Sequence, residues 1–384
     1  MEEIAAMNKV GLTKIKTTIL ITLIIIASIA AVFLLSPYFS SQPESKTGRY
    51  VVDIVGRNVT LPETASKIAA IGPGMLRLVC YLNATDMLVG VEESETSWGF
   101  TGRDYAMAIG ESFRALSVIG PGGPGRPPAP ELILAAKPDL IIMSKTYYDL
   151  YDPDRLQTET NATVIVMDYG PAGQLDIESF TNALRVLGEV LNRKERAEQL
   201  ISFVNDLCAD LSQRTKNIDL RPKVYVGAVS YKGAQPFTTT QTPFPPLSLL
   251  NTPSIVDKYS NTTGVFFCDF EAILTEQPDV IFIDEGNLET VKQDFDKDSN
   301  KYMQLVAFKE GEVYGTLPYN YYHTNIAVAL ADAYYIGKVL YPDAFSNIDP
   351  EEKANEIFSM FLGKQLYQAY AEEYGGFCCL SGVF

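Results

Sequence analysis

Two stretches decide the fold: PELILAAKPDLIIMS at residues 130–144 and FEAILTEQPDVIFID at residues 270–284. Laid over one another at an offset of 140, they agree at six of fifteen positions. The agreements are Glu131 with Glu271, Ile133 with Ile273, Leu134 with Leu274, Pro138 with Pro278, Asp139 with Asp279 and Ile141 with Ile281. Each copy reads as a short helix, a Pro-Asp turn and a buried strand. Proline ends the helix because it has no N–H and disfavours helical geometry in the residue before it. The apolar run after the aspartate has the length and β-branched content of a strand in a parallel sheet. A unit that recurs once, a domain's length away, predicts two similar α/β lobes.

Each copy also opens its helix with a glutamate. Pro130 suits the first helical position and Glu131 follows it, while Asp269 is an N-cap candidate that puts Glu271 near the same place. Acids are favoured at helix N-termini by the unpaired N–H groups and the dipole, which is reason enough for one such residue. The same acid at the same place in both lobes points further, to a matched pair of carboxylates.

A glutamate opening a short helix, then KPD or QPD, then an apolar strand, once per lobe, resembles the periplasmic-binding-protein family for iron chelates, haem and cobalamin. The resemblance covers roughly residues 50–375. It implies an α/β fold of two Rossmann-like lobes with mainly parallel sheets, joined by one long helix. It further implies that Glu131 and Glu271 dock on arginines of the membrane permease of an ABC importer, and that the chain is not an enzyme.

At 384 residues the chain is long enough for two domains, and 47% apolar with 20% charged residues is a folded composition. A net charge of −16 argues against nucleic acid, whose phosphates would repel it. Residues 17–39 carry no charge, with an apolar heart from Ile19 to Leu35. Lys9, Lys14 and Lys16 precede this segment, and no positive charge follows until Lys46. The pattern predicts a cytoplasmic N-terminus over 1–16, a transmembrane anchor over 17–39, a polar linker over 40–49 and an extracytoplasmic globular part. A signal peptide is the rival reading of 17–39.

Five cysteines leave one unpaired in any disulfide scheme. Cys378 and Cys379 are candidates to pair with each other or with Cys80 or Cys268. No Cys/His metal spacing occurs. Asn58, Asn83, Asn161 and Asn261 head Asn-x-Thr triplets, a frequent chance pattern.

The first lobe spans about 50–172. YVVDIVG and NVTLP read as a small antiparallel pair, and KIAAIG as the first strand of the parallel sheet. Gly72-Pro73-Gly74 then leads into a helix from about Met75, which aims free N–H groups at the carboxyl edge of the sheet, where open α/β sheets bind ligands. After MLVGVE comes a stretch without clear periodicity, about 92–116, with Trp98 and Arg103. Gly120, Gly122 and Gly125 match G-x-G-x-x-G, but Pro127, Pro128 and Pro130 delay the next helix and Ser144 ends the next strand where an acid would stand, so this is a rigid loop rather than a nucleotide fingerprint. Tyr147, Tyr148 and Tyr151 lie beyond the strand of the first repeat.

Residues 174–217 read as two connecting helices broken at Asn192 and Arg193. The second is long and amphipathic, which predicts limited movement between lobes. The second lobe spans about 220–384: a strand ending near Tyr231, a Thr/Pro-rich loop with Phe237 and Phe244, the second repeat, an acidic surface loop DFDKDS, and a strand leading into LPYNYYH. That last segment concentrates Tyr319, Tyr321, Tyr322 and His323 ahead of a helix, and by topology faces the cleft.

These residues define the candidate site. Aromatic faces come from Trp98, Tyr147, Tyr148, Tyr231, Tyr319, Tyr321 and Tyr322, with Arg103 and Arg77 placed to meet an anionic ligand. His323, the only histidine, joins them as a ligand-facing candidate, though a lone histidine is more often structural. No resident cofactor or protein-bound metal is expected. The family resemblance implies an iron chelate or a similar metal-organic ligand, with cobalamin or haem as alternatives. A receptor for bare metal ions would need several converging His and carboxylate ligands. An extracytoplasmic two-domain enzyme would need a catalytic constellation, and no Ser/His/Asp order, G-x-S-x-G or P-loop is present.

Overall fold

The computed structural model describes residues 49–384. The expected anchor at 17–39 lies outside the described residues, and no helix among those described is long and apolar enough to cross a membrane.

The two repeats adopt the same local structure. Helices Pro130–Ala136 and Phe270–Glu276 both have seven residues. Both stop on a residue in left-handed geometry, Lys137 at φ 53° and Gln277 at φ 49°, just before the proline. Strands Leu140–Ser144 and Val280–Asp284 follow. The aspartate of each Pro-Asp turn fixes the neighbouring strand. Asp139 Oδ2 accepts from the backbone N–H and hydroxyl of Ser66, both at 2.9 Å, and from Lys67 N at 3.0 Å. Asp279 Oδ2 accepts from Lys223 N at 2.7 Å. Lys67 and Lys223 immediately precede strands Ile68–Ile71 and Val224–Gly227. The shared aspartate therefore sets the register, Ile68 opposite Leu140 and Val224 opposite Val280.

In each lobe the repeat's strand is the middle one of three parallel strands. Leu140–Ser144 lies between Ile68–Ile71 and Thr163–Met167, and Val280–Asp284 between Val224–Gly227 and Val313–Thr316. Parallel sheets of this kind are covered on both faces, which is why the strands are apolar throughout. Side chains alternate across them. Ala69, Ile71, Ile141, Met143, Val164 and Val166 form one small core of the first lobe. Their neighbours Ile68, Ala70, Leu140, Ile142, Ile165 and Met167 face the other way, into the main core. Val224, Val226 and Phe282 of the second sheet enter the same main core, while Tyr225, Ile281 and Ile283 face a separate one.

That main core also contains the connecting helices. Helix Ile177–Val190 is followed by the 22-residue helix Lys194–Thr215, with the break at Leu191–Arg193 where the sequence places it. Their close packing depends on Gly188: a Cβ there would sit 2.6 Å from that of Ala197. The nearly fully buried helix Ile326–Leu340 completes the seam.

Four readings need correction. The stretch 92–116 contains helices Ser94–Ser97 and Asp104–Phe113, the second burying Tyr105, Ala106, Ala108 and Phe113. The acidic run DFDKDS closes helix Leu288–Lys297 and opens helix Ser299–Tyr302; Val291 is buried and the charges form the solvated face. The Thr/Pro-rich loop carries strand Thr239–Thr242, antiparallel to Gly264–Phe267, and helix Pro245–Leu249. All five cysteines are free thiols.

Candidate functional site

The carboxyl edges of both sheets meet at the loop Leu317–Asn325. This loop leaves the second sheet after Thr316 and is tied to both lobes. Asn320 Nδ2 donates to Ser230 O at 2.9 Å in the second lobe. Toward the first lobe, Asn325 Nδ2 donates to Gly102 O at 2.8 Å, and the Tyr169 hydroxyl donates to Thr324 O at 3.1 Å. Tyr322 and His323 have φ of 52° and 93°, uncommon for residues with a Cβ, so these ties hold the loop in a strained conformation.

Glu92 is the hub on the first-lobe side. It directly follows the strand Gly90–Val91 and is buried. Its Oε2 accepts from Gly72 N at 2.8 Å and from the Tyr322 hydroxyl at 3.2 Å, and its Oε1 from the Tyr147 hydroxyl at 2.9 Å. The glycine turn after Ile71 therefore presents its N–H to an internal carboxylate. The turn also has no room for side chains: a Cβ on Gly72 would lie 2.8 Å from Ser144 Cβ, and one on Gly74 would lie 2.6 Å from the Tyr169 ring. Burial pushes the Glu92 carboxyl up to about 7 against the pull of its hydrogen bonds, because three neutral donors replace water incompletely and no cation among the described residues pairs with it.

Tyr322 completes the junction. Its hydroxyl accepts from Gly123 N at 3.0 Å, and its ring meets Trp98 edge-on, with centroids 5.3 Å apart. His323 is 7% exposed, 4.1 Å between rings from Tyr169, with Nδ1 accepting from Thr324 N at 3.0 Å. Burial lowers its pKa, so the imidazole is neutral at neutral pH, and Asp168 lies 3.6 Å from its Nε2.

The residues expected to line the cleft fall into three groups. Trp98, Tyr148, Tyr231 and Tyr321 are 44%, 40%, 42% and 37% exposed and present free ring surface. Tyr147 and Tyr319 are fully buried; the Tyr319 hydroxyl lies 3.0 Å from Gly173 O and 2.9 Å from Gln241 Oε1. They support the site rather than line it. Arg77 and Arg103 correct the expectation most sharply, because both guanidinium groups are turned to internal partners. Arg77 donates to Asp104 Oδ1 at 2.9 Å, the Tyr169 hydroxyl at 2.8 Å and Tyr321 O at 3.1 Å, as well as to Asn325 Oδ1. Arg103 pairs with Glu95 and with the carbonyl of Gly99. A buried guanidinium is tolerated when its charge is matched internally, and that requirement removes both from the rim, although Arg103 Nε is left buried without an acceptor among the described residues. Sequence reading missed Glu92 and Tyr169; an acid directly after an apolar strand was the available signal for Glu92.

The second lobe has its own buried acids beneath the loop. Asp284 accepts from Ser230 N at 2.8 Å and Gly286 N at 2.9 Å, and burial pushes it up to about 6. Burial pushes Glu285, which accepts from Gly376 N at 3.0 Å, up to about 8. Among the described residues no group of three or more His, Cys, Asp or Glu side chains is arranged to hold a metal ion. The docking candidates Glu131 and Glu271 are exposed, in the first turn of equivalent helices, and neither helix has a side-chain cap.

Comparison with known proteins identifies the class. A family profile described as "Periplasmic binding protein" matches residues 68–319, and the chain belongs to that family. It is therefore the extracytoplasmic substrate-binding receptor of an ABC importer, a non-enzymatic component that works with a permease and an ATPase. Among solved structures, it is similar to an ABC transporter solute-binding protein from Sulfurospirillum deleyianum (22% identity, TM-score 0.62, covering 85% of this chain and 98% of that one). It is similar to the molybdate periplasmic binding protein of Haemophilus influenzae (18% identity, TM-score 0.62, covering 83% and 98%). It is also similar to a periplasmic haem-binding protein of Vibrio cholerae (16% identity, TM-score 0.51, covering 72% and 99%). At these identities the likeness is one of fold. No curated protein sequence matches the chain significantly.

Proposed function

We propose that this receptor captures an iron(III) chelate, or a similar metal-organic ligand, against the aromatic rim between its lobes. The observation that carries the reading is the set of four exposed rings, Trp98 and Tyr148 from the first lobe and Tyr231 and Tyr321 from the second. Aromatic faces suit a bulky ligand with an apolar periphery. Engagement of Arg77 and Arg103 inside the fold speaks against a small bare oxyanion such as the molybdate bound by the Haemophilus protein. The exposed Lys145 and Lys232, the latter 5.2 Å from the Tyr231 ring, are cations suited to an anionic chelate. Binding assays read by the fluorescence of Trp98, the only tryptophan, test this against ferric siderophores, haem and cobalamin. Saturable binding of a ferric siderophore is expected. Saturation by haem or cobalamin alone reassigns the ligand, and no saturable binding to any of them overturns the reading.

In the same proposal Glu131 and Glu271 are the contacts to the permease, one per lobe, and residues 17–39 tether the receptor to the membrane with its globular part outside. Their equivalent exposed positions support the docking role. The uncharged run preceded by Lys9, Lys14 and Lys16 supports the tether. Recovery of the whole chain from the membrane fraction, with its N-terminus intact, is the expected result for the tether; a mature protein beginning after residue 39 would refute it.

A further inference from the structure

Four asparagines carry a pattern that neither ligand capture nor docking uses. Asn58, Asn83, Asn161 and Asn261 each have a threonine two places on, with Val59, Ala84, Ala162 and Thr262 between, so no triplet contains proline. The chain has 16 asparagines and 27 threonines in 384 residues, so about one such triplet is expected at random, and four are present. All four asparagines are exposed, and none of their carboxamides makes a hydrogen bond among the described residues. By contrast, Asn251, Asn287, Asn320 and Asn325 donate through their carboxamides and hold the fold together, and none of them has a Ser or Thr two places on.

Asn83 and Asn161 stand at equivalent places. Asn83 follows helix Met75–Tyr81 and Asn161 ends helix Pro153–Thr160; both are left-handed, at φ 53° and 54°, and each is followed by a buried alanine. Left-handed geometry suits asparagine at a helix end and accounts for these two residues by themselves. It does not account for the threonines. Asn192 and Asn251 have the same geometry, at φ 55° and 51°, with Lys194 and Pro253 two places on. Nor do the threonine hydroxyls hold the fold: those of Thr60, Thr85 and Thr263 bond to nothing among the described residues, and that of Thr163 lies 3.5 Å from Thr60 O. The chain runs from Asn83 to Leu88, which lies beside Ile68, and from Asn161 to Thr163, which pairs with Leu140. Both asparagines therefore sit at the amino edge of the first sheet, opposite the carboxyl edge that meets the loop Leu317–Asn325.

We propose that Asn58, Asn83, Asn161 and Asn261 are acceptor sites for N-linked oligosaccharide, added on the extracytoplasmic side of the membrane, where this receptor works. The donor class is an oligosaccharide joined through its anomeric carbon to a lipid phosphate. The asparagine Nδ2 forms a bond to that carbon as the carbon–oxygen bond to phosphate breaks. The lipid phosphate leaves with the electron pair, and the Nδ2 proton passes to a base of the membrane transferase. The threonine hydroxyl is the group by which the transferase recognises each site. Sugars at Asn83 and Asn161 leave the interlobe cleft uncovered.

Peptide mass spectrometry tests this on the full chain purified from its native host, with the same chain made in a membrane-free cell extract as the unmodified reference. Sugar mass is expected on the peptides of all four asparagines. Thr60→Ala, Thr85→Ala, Thr163→Ala and Thr263→Ala should each remove it from their own asparagine and leave the other three modified, which also shows that the variant chain is made and exported. Thr→Ser at the same four positions keeps the hydroxyl and should retain the sugar. Unmodified asparagine at two or more of the four sites, or sugar that persists after the threonine hydroxyl is lost, would overturn the proposal.

Discussion

The Tyr322 hydroxyl of the second lobe lies 3.2 Å from Glu92 Oε2 of the first, and this contact links the two lobes. It joins a residue in strained backbone geometry to a buried carboxyl that has no cation partner among the described residues. Removing the phenol oxygen takes away one of the carboxyl's three donors and the acceptor for Gly123 N. Tyr322→Phe should therefore loosen the junction while leaving both sheets intact. Hydrogen exchange should speed up in 92–98 and 120–126 and stay unchanged in Leu140–Ser144 and Val280–Asp284. Unchanged exchange everywhere would mean that the contact contributes nothing to the link between the lobes.

Acidity at this junction makes stability depend on pH. Glu92, Asp284 and Glu285 all have carboxyls raised by burial, to about 7, 6 and 8. A carboxyl raised in the folded state holds its proton more tightly there than in the unfolded chain. Its contribution is complete below the unfolded value of about 4.3 and is lost as pH rises through the folded value. Thermal stability should fall between pH 5 and about 8 as the three carboxyls lose their protons. Glu92→Gln with Glu285→Gln should flatten that slope. A stability that rises across this range would contradict the assignment.

Arg77 separates a structural from a ligand-binding role cleanly. Arg77→Met leaves Asp104 buried without its cation, and breaking such a pair costs about 3–5 kcal/mol. The melting temperature should drop sharply. A variant that keeps its stability and loses ligand affinity would return Arg77 to the rim.

Docking is tested by charge reversal. Glu131→Arg with Glu271→Arg should abolish transport in cells and leave ligand affinity unchanged. As exposed positions, they should each shift stability by no more than about 0.5 kcal/mol. Unimpaired transport would reduce both carboxylates to favourable charges at helix N-termini.

The repeat's aspartates make an unequal pair. Asp139 accepts three hydrogen bonds from Ser66 and Lys67, and Asp279 accepts one from Lys223. Asp139→Ala should cost more than Asp279→Ala, by about 1–2 kcal/mol on denaturant unfolding. Equal losses would show that the extra bonds add nothing.

Most of the architecture was legible because it rests on short-range chemistry. The Pro-Asp turns, the glycine turn after Ile71 and the break at Asn192 are local, and each sits where its residues require. The helix Leu288–Lys297 was hidden by its own charges: Leu288, Val291 and Phe295 carry the apolar spacing, while the acidic run that surrounds Phe295 reads as a loop. The site was legible only by type. Aromatic residues were found as a group, but exposure divides them, and exposure follows from long-range packing. Arg77 illustrates the limit, since its partners Asp104, Tyr169 and Asn325 lie 27, 92 and 248 residues away and no local pattern announces them.

The main core takes in strands of both sheets together with the two connecting helices. A chain cut between Leu191 and Lys194 would therefore yield two fragments that each bare a large apolar surface. Neither half is a self-sufficient module; each needs the other as its complement, so the receptor must be inherited, expressed and engineered as one piece.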